Sequence, residues 1–289
     1  MMSLDFRKQV SMTARAFVVG HPIRHSRSPL IHGHWLAEHG LDGSYERIDV
    51  APEAFEAFIR RLPASGFAGG NVTIPHKEAA YRLADSLTER AKKIGAVNTL
   101  IVEGDRVRGD NTDAPGFIAH LDHSLGERWP ERTGGSALVL GAGGAARAIV
   151  VGLVERGLSV RVANRSPERA RALVELDPEH IEALAWEAVP DALSDTGLLV
   201  NTTSLGMAGH PPLEIDLAPL PDRAAVADIV YVPLETKLLA AARARGLAAV
   251  DGLGMLLHQA VPGFAAWFGL RPEVTPALRQ TIVADLVAK

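Results

Sequence analysis

Residues 137–146 read Ala-Leu-Val-Leu-Gly-Ala-Gly-Gly-Ala-Ala and join a short apolar run to a glycine-rich loop. The apolar run predicts a buried strand, and the alanine-rich residues after the loop predict a helix that ends near Gly157. The loop matches the pattern Gly-x-Gly-x-x-Ala between a strand and a helix, where a tight turn brings backbone amides and a helix N-terminus to a pyrophosphate. We therefore predict a parallel βαβ unit that binds a dinucleotide.

The end of the next predicted strand indicates which dinucleotide the loop takes. Asn164 stands about 20 residues after the first glycine, where NAD enzymes place an acidic side chain on the ribose 2′-hydroxyl. Here the neutral Asn164 is followed by Arg165, and Arg169 lies one turn along a helix that starts at Ser166. Two guanidinium groups at a helix N-terminus favour a 2′-phosphate, so the sequence predicts NADP rather than NAD.

The rest of the chain alternates short β-rich runs with longer helical stretches, which predicts an α/β fold with parallel layers. Further strands are expected at residues 17–20, 45–50, 66–73, 97–102, 160–163, 198–200 and 225–231. Helices are expected at residues 28–40 with Ser28 as the N-cap, at 52–62, 88–95 and 116–125, and after Ser166. From Gly254 the chain is expected to be helical, with a bend at Pro262 and a new start at Thr275. The first sixteen residues read as an extension without a secretory signal.

The composition excludes several classes of protein. The chain has no cysteine, which excludes disulfides, thiolate nucleophiles and Cys-ligated metal sites. Its net charge of −4 does not indicate a nucleic-acid or anionic membrane surface. The longest apolar stretch, residues 136–154, contains Arg147, so we expect no membrane span. The histidines between His21 and His39 lack the spacing of a metal motif, so we expect surface and loop residues and no functional metal.

A series of polar residues marks the N-terminal part of the chain. Ser26-Arg-Ser28-Pro follows the first predicted strand, and Asn71-Val-Thr-Ile-Pro-His-Lys77 forms a loop after the third. Asn98-Thr99 lies in the next strand, and Asp110-Asn-Thr-Asp113 follows it. Each has an ordinary structural explanation as a helix cap, a strand end or a turn. Lys77 is one of six lysines beside 24 arginines, and a lysine can lose its proton whereas an arginine cannot.

Together with the dinucleotide loop, this series resembles the shikimate dehydrogenase family over nearly the whole chain. The matching motifs are S-R-S-P at 26–29, N-V-T-I-P-H-K at 71–77, A-V-N-T at 96–99, N-T-D at 111–113, G-A-G-G-A at 141–145, N-R-S at 164–166, N-T-T-S-L-G-M at 201–207, D-I-V-Y-V-P-L-E-T at 228–236 and G-M-L-L-H-Q at 254–259. The resemblance implies an N-terminal α/β substrate domain and an NADP-binding Rossmann domain, with C-terminal helices returning to the substrate domain. The expected boundaries are 1–116 with 254–289 for the substrate domain and 117–253 for the NADP domain.

The resemblance also implies an activity and a set of site residues. The activity is the reversible, NADPH-dependent reduction of 3-dehydroshikimate to shikimate in aromatic amino acid biosynthesis, by a cytoplasmic monomer or homodimer whose partner is this small molecule. Lys77 and Asp113 would form the catalytic pair that handles the proton. The substrate residues would be Ser26, Ser28, Asn71, Thr73, Asn98, Tyr231 and Gln259. The cofactor residues would be Gly141, Ala142, Gly143, Gly144, Ala145, Asn164, Arg165, Ser166, Arg169, Thr202, Met207 and Gly252.

Three alternative functions stay open at this point. A quinate or quinate/shikimate dehydrogenase often has Thr at the second position of the S-x-S motif and often uses NAD, as the resemblance implies, and both Ser28 and the Asn164-Arg165 pair argue against it. A paralogue acting on an amino analogue of the ring is not excluded by any residue. A non-catalytic NADP-binding sensor is disfavoured because Lys77 and Asp113 are both present.

Overall fold

The computed structural model of the protein describes residues 13–288. The strands are β1 (Ala14–Gly20), β2 (Gly43–Asp49), β3 (Gly69–Val72), β4 (Ser86–Leu87), β5 (Thr99–Glu103), β6 (Arg106–Asp110), β7 (Ser136–Leu140), β8 (Ser159–Ala163), β9 (Ile181–Leu184), β10 (Leu198–Asn201), β11 (Ala225–Asp228) and β12 (Ala248–Val250). The α-helices are α1 (Ser28–Glu38), α2 (Phe55–Arg61), α3 (Lys77–Leu83), α4 (Glu89–Ile94), α5 (Asp113–Leu125), α6 (Trp129–Thr133), α7 (Gly144–Glu155), α8 (Pro167–Val174), α9 (Val189–Ala192), α10 (Lys237–Ala244), α11 (Gly252–His258), α12 (Ala260–Phe268) and α13 (Pro276–Val287). The predicted α/β class is therefore confirmed.

The strands of the described region form two six-stranded sheets. The C-terminal sheet has the order β12-β11-β10-β7-β8-β9, and all of its pairs are parallel. This is the doubly wound order of dinucleotide-binding folds, in which the first strand lies at the centre and its carboxyl end borders the ligand crevice. The predicted Rossmann sheet is thus present, with the glycine loop directly after its central strand β7.

The N-terminal sheet has the order β2-β1-β3-β5-β6-β4 and is mixed rather than parallel. Strand β1 is parallel to both neighbours, whereas β5 is antiparallel to β3 and to β6. The prediction of purely parallel layers is wrong for this sheet. The reason is a two-residue connection between Glu103 and Arg106 that begins with Gly104 at φ +66°, and a link this short joins only antiparallel strands.

The described chain divides into two compact units. One comprises residues 13–87, Val97–Asp110 and Pro262–Pro272, and it contains the mixed sheet. The other comprises Thr88–Ala96, Asn111–Val261 and residues 273–288, and it contains the parallel sheet. These units are defined by backbone packing, whereas the predicted domains are defined by the ligand that each binds. The boundaries 1–116, 117–253 and 254–289 therefore stay a prediction.

Each unit has an apolar core. In the unit with the parallel sheet, the two faces pack against separate clusters that include Val139 with Ile149 and Leu138 with Leu239. In the other unit, Phe17 is fully buried between the edges of Phe58 and Phe67. Trp267 of α12 donates its indole N–H to the Leu100 carbonyl at 2.9 Å, which returns this part of the C-terminal region to the mixed sheet.

Several local expectations are confirmed by the backbone. Thr88 caps α4 by accepting a hydrogen bond from the Ala91 amide, and Gly95 ends that helix at φ +73°. Thr275 caps α13 in the same way. Other local expectations are wrong. Arg27, not Ser28, occupies the N-cap position of α1, and α12 continues through Pro262 because a proline in the first helical turn removes no intrahelical hydrogen bond.

Two expectations about the N-terminal region need correction. Strand β1 begins at Ala14, within the stretch that the sequence analysis assigned to an extension, and residues 1–12 lie outside the described part. His32 is fully buried on α1 rather than a surface residue. Within residues 13–288, no group of three histidine or acidic side chains is placed to hold a metal. No helix of the same region is long and apolar enough to cross a membrane.

Candidate active site

The loop after β7 has a glycine where a side chain would not fit. Gly141 has φ +109°, and a Cβ there would lie 2.6 Å from the Thr202 hydroxyl oxygen. The Gly141 amide donates to the Ala163 carbonyl at 2.8 Å, and the Thr202 amide and hydroxyl both donate to the Leu140 carbonyl at 2.8 and 2.7 Å. These bonds fix the loop at the carboxyl ends of β7, β8 and β10.

The following residues of the loop are open instead. A Cβ at Gly143 or Gly144 would meet nothing within 4 Å, and α7 begins at Gly144. The amides of a first helical turn have no intrahelical partner and carry the positive end of the helix dipole. Ala146 is fully buried where a larger residue would push the helix from the sheet. The open backbone, the dipole and the close helix packing fit the pyrophosphate of a dinucleotide.

The predicted adenosine-side residues lie at the end of β8. The Asn164 side-chain amide donates to the Ser166 carbonyl at 3.0 Å, and this bond shapes the turn into α8. Ser166 occupies the N-cap position of α8, but its side chain makes no capping hydrogen bond. Arg165 and Arg169 are both exposed. The turn thus presents two guanidinium groups to solvent beside a helix N-terminus, an arrangement that suits a phosphate group.

A buried carboxylate joins the two segments that carry Met207 and Tyr231. Asp228 accepts hydrogen bonds from the Asn201 amide at 2.9 Å and from the Thr236 hydroxyl at 2.8 Å. Burial raises the pKa of Asp228, and its hydrogen bonds oppose that shift. The Ala208 amide donates to the Val232 carbonyl at 2.8 Å. Because Ala208 follows Met207 and Val232 follows Tyr231, this bond joins the two segments next to their predicted ligand residues.

Gly252 has no room for a side chain at the start of α11. A Cβ there would lie 2.2 Å from the Ile229 carbonyl oxygen. The helix therefore starts against the backbone that leads from β11 to Tyr231. Met207 is 39% exposed, and Tyr231 is partly buried. The predicted nicotinamide residues Met207 and Gly252 and the predicted cofactor residue Thr202 thus lie at the carboxyl edge of one sheet.

Asp113 and Gln259 both border the first turn of α5. Asp113 is the first residue of α5 and is buried, and its backbone amide donates a hydrogen bond to the Asn111 side-chain oxygen at 3.1 Å. One turn further, a Cβ at Gly116 would lie 2.6 Å from the Cα and the amide nitrogen of Gln259. Residues three apart share a helix face, so Asp113 and Gln259 border the same turn of α5.

A buried polar cluster lies on the mixed sheet. The Ser26 hydroxyl donates to the Ser28 hydroxyl at 3.3 Å, and the Asn71 amide donates to the Asn98 carbonyl at 3.3 Å. Ser28, Asn71 and Asn98 are all buried. Hydroxyl and amide groups held in this way match a small ligand that carries several hydroxyl groups. Four predicted substrate residues therefore lie in one cluster.

Lys77 is the first residue of α3 and does not lie in a loop as the sequence analysis expected. Its carbonyl accepts a hydrogen bond from the Val97 amide at 2.9 Å, which brings the start of α3 beside the segment that enters Asn98. The preceding His76 is buried, stacks on Phe55 at 4.2 Å and bonds the Val50 carbonyl at 2.7 Å. These contacts set the position of the Lys77 backbone. Thr73 donates its amide to the Val19 carbonyl at 2.9 Å.

Tyr45 is a member of the polar cluster that the sequence did not reveal. Its hydroxyl donates to the Asn71 side-chain oxygen at 2.6 Å. The two residues are 26 positions apart and lie on β2 and β3, which are separated by β1. No local pattern marks such a contact, and only the strand order with its register could have predicted it.

A doubly wound sheet with an open glycine loop, in a chain that also buries a cluster of hydroxyl and amide groups, defines a dinucleotide-dependent oxidoreductase of polar substrates. Comparison with family models agrees. Residues 18–100 match the shikimate dehydrogenase substrate binding domain, and residues 126–207 match shikimate / quinate 5-dehydrogenase. The chain belongs to the shikimate dehydrogenase family.

Similar proteins cover almost the whole chain. It is 75% identical over 276 residues to the shikimate dehydrogenase (NADP(+)) of Methylobacterium radiotolerans, which covers 95% of this chain and 98% of the relative. The Thermus thermophilus shikimate 5-dehydrogenase, solved with NADP(H) and shikimate, is 38% identical with a TM-score of 0.82 over 94% of this chain and 100% of that one. A quinate dehydrogenase of Corynebacterium glutamicum, solved with NAD, is 31% identical with a TM-score of 0.86 over 94% and 99%.

Proposed function

We propose that the chain catalyses the reversible, NADPH-dependent reduction of 3-dehydroshikimate to shikimate, a step of the shikimate pathway toward aromatic amino acids. The observation that carries this function is the combination of the open glycine loop after β7 with the buried hydroxyl and amide cluster around Asn71. Relatives that are 75% and 62% identical are named shikimate dehydrogenase (NADP(+)), which supports the same activity.

The cofactor is NADP(H), whose nicotinamide ring supplies the hydride for reduction of the ketone and takes it back in the reverse direction. The residues from Gly141 to Ala145 receive the pyrophosphate through backbone amides at the start of α7. Asn164, Arg165, Ser166 and Arg169 receive the adenosine phosphate, since guanidinium groups bind phosphate through paired, charge-assisted hydrogen bonds. Met207 and Gly252 border the nicotinamide, and Thr202 is a further cofactor-binding residue.

The substrate is held by hydrogen bonds rather than by apolar contacts. Ser26 and Ser28 bind its carboxylate, with Tyr231 near the same group, whereas Asn71, Thr73, Asn98 and Gln259 bind its ring hydroxyls. A site built from such donors rejects an analogue without a hydroxyl strongly, because the site's own polar groups then stay unpaired. This selectivity suits a small polyhydroxylated anion.

Lys77 and Asp113 handle the proton of the reaction. In the direction of reduction, the Lys77 ammonium donates a proton to the oxygen of the former ketone as negative charge develops there. Asp113 orients the ammonium by charge pairing. In the reverse direction the neutral amine of Lys77 accepts the proton from the same hydroxyl oxygen. No thiol is needed at any step.

The decisive experiment combines the pure protein with shikimate or quinate and with NADP⁺ or NAD⁺, and follows the absorbance of the reduced cofactor. We expect shikimate with NADP⁺ to give the highest kcat/KM of the four combinations. A higher kcat/KM for quinate with NAD⁺ would contradict the proposal in favour of a quinate dehydrogenase. Tight NADP⁺ binding without turnover of either substrate would favour a sensor.

The cytoplasmic location and the monomeric or homodimeric state implied by the resemblance are further parts of this proposal. Gel filtration with light scattering measures the oligomeric state directly. Limited proteolysis with and without each ligand tests the boundaries near residues 116 and 254. Protection of fragment 117–253 by NADP⁺ alone would support them.

A further inference from the structure

The hydrogen bonds that lead from Tyr45 to Asn98 form a chain that runs in one direction. Tyr45 donates to the Asn71 side-chain oxygen at 2.6 Å, and the Asn71 amide donates to the Thr99 hydroxyl at 3.4 Å. Thr99 donates to the Asn98 side-chain oxygen at 2.9 Å.

The Asn98 backbone carbonyl fixes this direction, because a carbonyl can only accept and the amide end of Asn71 must therefore face it. The Asn71 side-chain oxygen then faces Tyr45, and the phenol donates its proton to that oxygen at 2.6 Å. Without the phenol, the oxygen of the buried Asn71 side chain would lose the donor that holds that end in place.

The sheet geometry places Tyr45 to make this connection. Tyr45 pairs with Ala16 in the β1–β2 register, and Asn71 pairs with Val18 in the β1–β3 register. These four residues point to one face of the sheet, because aligned residues of parallel strands share a face and residues two apart along a strand do too. The phenol of Tyr45 on β2 therefore reaches diagonally across the small Ala16 on β1 to Asn71 on β3.

The aromatic ring of Tyr45 is held in place by packing. His32 of α1 lies flat on it, with ring centroids 4.0 Å apart and an interplanar angle of 10°. His32 is fully buried, and burial lowers its pKa to about 3, so its ring stays neutral near pH 7. The ring of Trp267 lies beside the Tyr45 ring, with centroids 5.9 Å apart. The phenol oxygen thus has a defined position before a ligand binds.

We propose that Tyr45 is a positioning residue of the substrate site, which holds Asn71, and through Thr99 also Asn98, in the orientation that binds the ligand. This inference rests on the proposed function, since Asn71 and Asn98 are among the groups that would bind the ring hydroxyls of shikimate. Thr99 is the second link of the same chain and acts in the same way between Asn71 and Asn98.

The test is the Tyr45→Phe variant, which keeps the ring on His32 and removes only the phenol group. We expect the KM for shikimate to rise about 10-fold, the typical effect of one lost hydrogen bond, while the KM for NADP⁺ stays unchanged. Tyr81→Phe is the matched control, because it removes a phenol group from α3 of the same unit, outside the cluster. An unchanged shikimate KM in Tyr45→Phe would overturn the proposal.

A second pair of variants keeps the test decisive if Tyr45→Phe does not fold. Thr99→Val preserves the shape of the side chain and breaks the chain between Asn71 and Asn98, and Thr99→Ser restores the hydroxyl. A raised shikimate KM in Thr99→Val that Thr99→Ser reverses supports the proposal, and equal KM values in both variants overturn it. If the unaltered protein does not turn over shikimate, it is the proposed function that fails.

Discussion

Lys77 occupies a position that the backbone defines strictly. It begins α3, directly after the buried His76, and its carbonyl is bonded to the Val97 amide. A fixed backbone position limits where the side chain can reach, which suits proton transfer because the donor must come within hydrogen-bond reach of the reacting oxygen. The proposed role of Lys77 therefore depends in part on the contacts that hold its backbone.

Replacement of this ammonium group tests its function. We expect Lys77→Ala to lower kcat by roughly 10²–10⁴, the usual contribution of a positioned acid, while the KM for shikimate changes little. Steady-state kinetics in both directions measure the effect. Lys92→Ala is the control, since Lys92 is an exposed lysine on α4 that pairs with Glu89 at 2.6 Å. Near-normal turnover in Lys77→Ala would remove Lys77 from the mechanism.

His32 makes the stability of the protein depend on pH. Burial lowers its pKa from 6.5 to about 3. Below pH 6.5 the unfolded chain binds a proton that the folded chain does not, so stability is present above this pH and is lost as the pH falls toward 3. Between pH 7 and pH 5 the loss from this one group is about 2 kcal/mol. Burial also lowers the pKa of His258 to about 4, which adds in the same direction.

The contribution of His32 is measured by denaturant unfolding at pH 7 and pH 5. We expect His32→Phe, which keeps an aromatic ring on Tyr45, to lose less stability on acidification than the unaltered protein. His39→Phe, at the exposed end of the same helix, should keep the full loss. The same pH dependence in His32→Phe and in the unaltered protein would show that other groups cause it.

At the scale of elements, the contact between α5 and α11 depends on glycine. A Cβ at Gly116 would meet the backbone of Gln259 at 2.6 Å, and a Cβ at Gly254 would meet the ring of His120 at 2.0 Å. The two helices thus pack closer than side chains allow at both points. This close approach brings Gln259 to the turn of α5 that begins with Asp113.

Gly116→Ala should therefore destabilise the protein by about 1–3 kcal/mol, because the helices must separate to admit a methyl group. Gly33→Ala is the matched control in α1, where a Cβ meets nothing within 4 Å. That change should stabilise the protein by about 0.5–1 kcal/mol, since alanine is the better helix former. Denaturant titration measures both values. Equal effects of the two variants would contradict the close packing at Gly116.

The parallel sheet could be predicted from the sequence because its signals are local. The run 137–140 is uniformly apolar, as a strand buried on both faces must be, and the glycine loop follows it directly. Strand β6 gave no such signal, because it reads Arg-Val-Arg-Gly-Asp and only Val107 and Gly109 face the interior. Strand β1 began earlier than expected because Arg15 lies in it, paired with Glu46 and stacked over Phe67.

The candidate site follows the same division between local and distant signals. Residues such as Asn71 and Asn98 could be proposed because a strand or a motif marks each of them. Tyr45 could not, since its contact with Asn71 crosses an intervening strand. The start of α3 at Lys77 was missed because its residues follow Pro75 in a motif that reads as a loop. The contacts that sequence reasoning misses are those that depend on the order and register of strands far apart in the chain.

At the scale of the whole molecule, the two sheets carry features that fit two different ligands. The parallel sheet carries the open loop at Gly143 and the exposed Arg165, which fit a dinucleotide phosphate. The mixed sheet carries the cluster around Asn71, which fits a polar ring. Each ligand should therefore stabilise the intact protein on its own, because anything that binds only the folded state shifts unfolding.

Thermal unfolding with single ligands tests this division and the cofactor preference together. NADP⁺ at 100 times its Kd should stabilise the chain by about 2.7 kcal/mol and raise its Tm by about 4–5 °C. NAD⁺ at the same concentration should raise it far less, because Arg165 and Arg169 would have no 2′-phosphate to bind. Shikimate alone should give a shift of its own.

The double variant Arg165→Ala/Arg169→Ala separates the two ligands. It should weaken NADP⁺ binding by about 100-fold or more, since two charge-assisted contacts are lost, and so abolish most of the NADP⁺ shift at that concentration. Its shikimate shift should be unchanged, because both arginines lie on the parallel-sheet unit. Arg171→Ala, an exposed arginine on the same helix, should keep both shifts. A double variant that retains the full NADP⁺ shift would place the 2′-phosphate elsewhere.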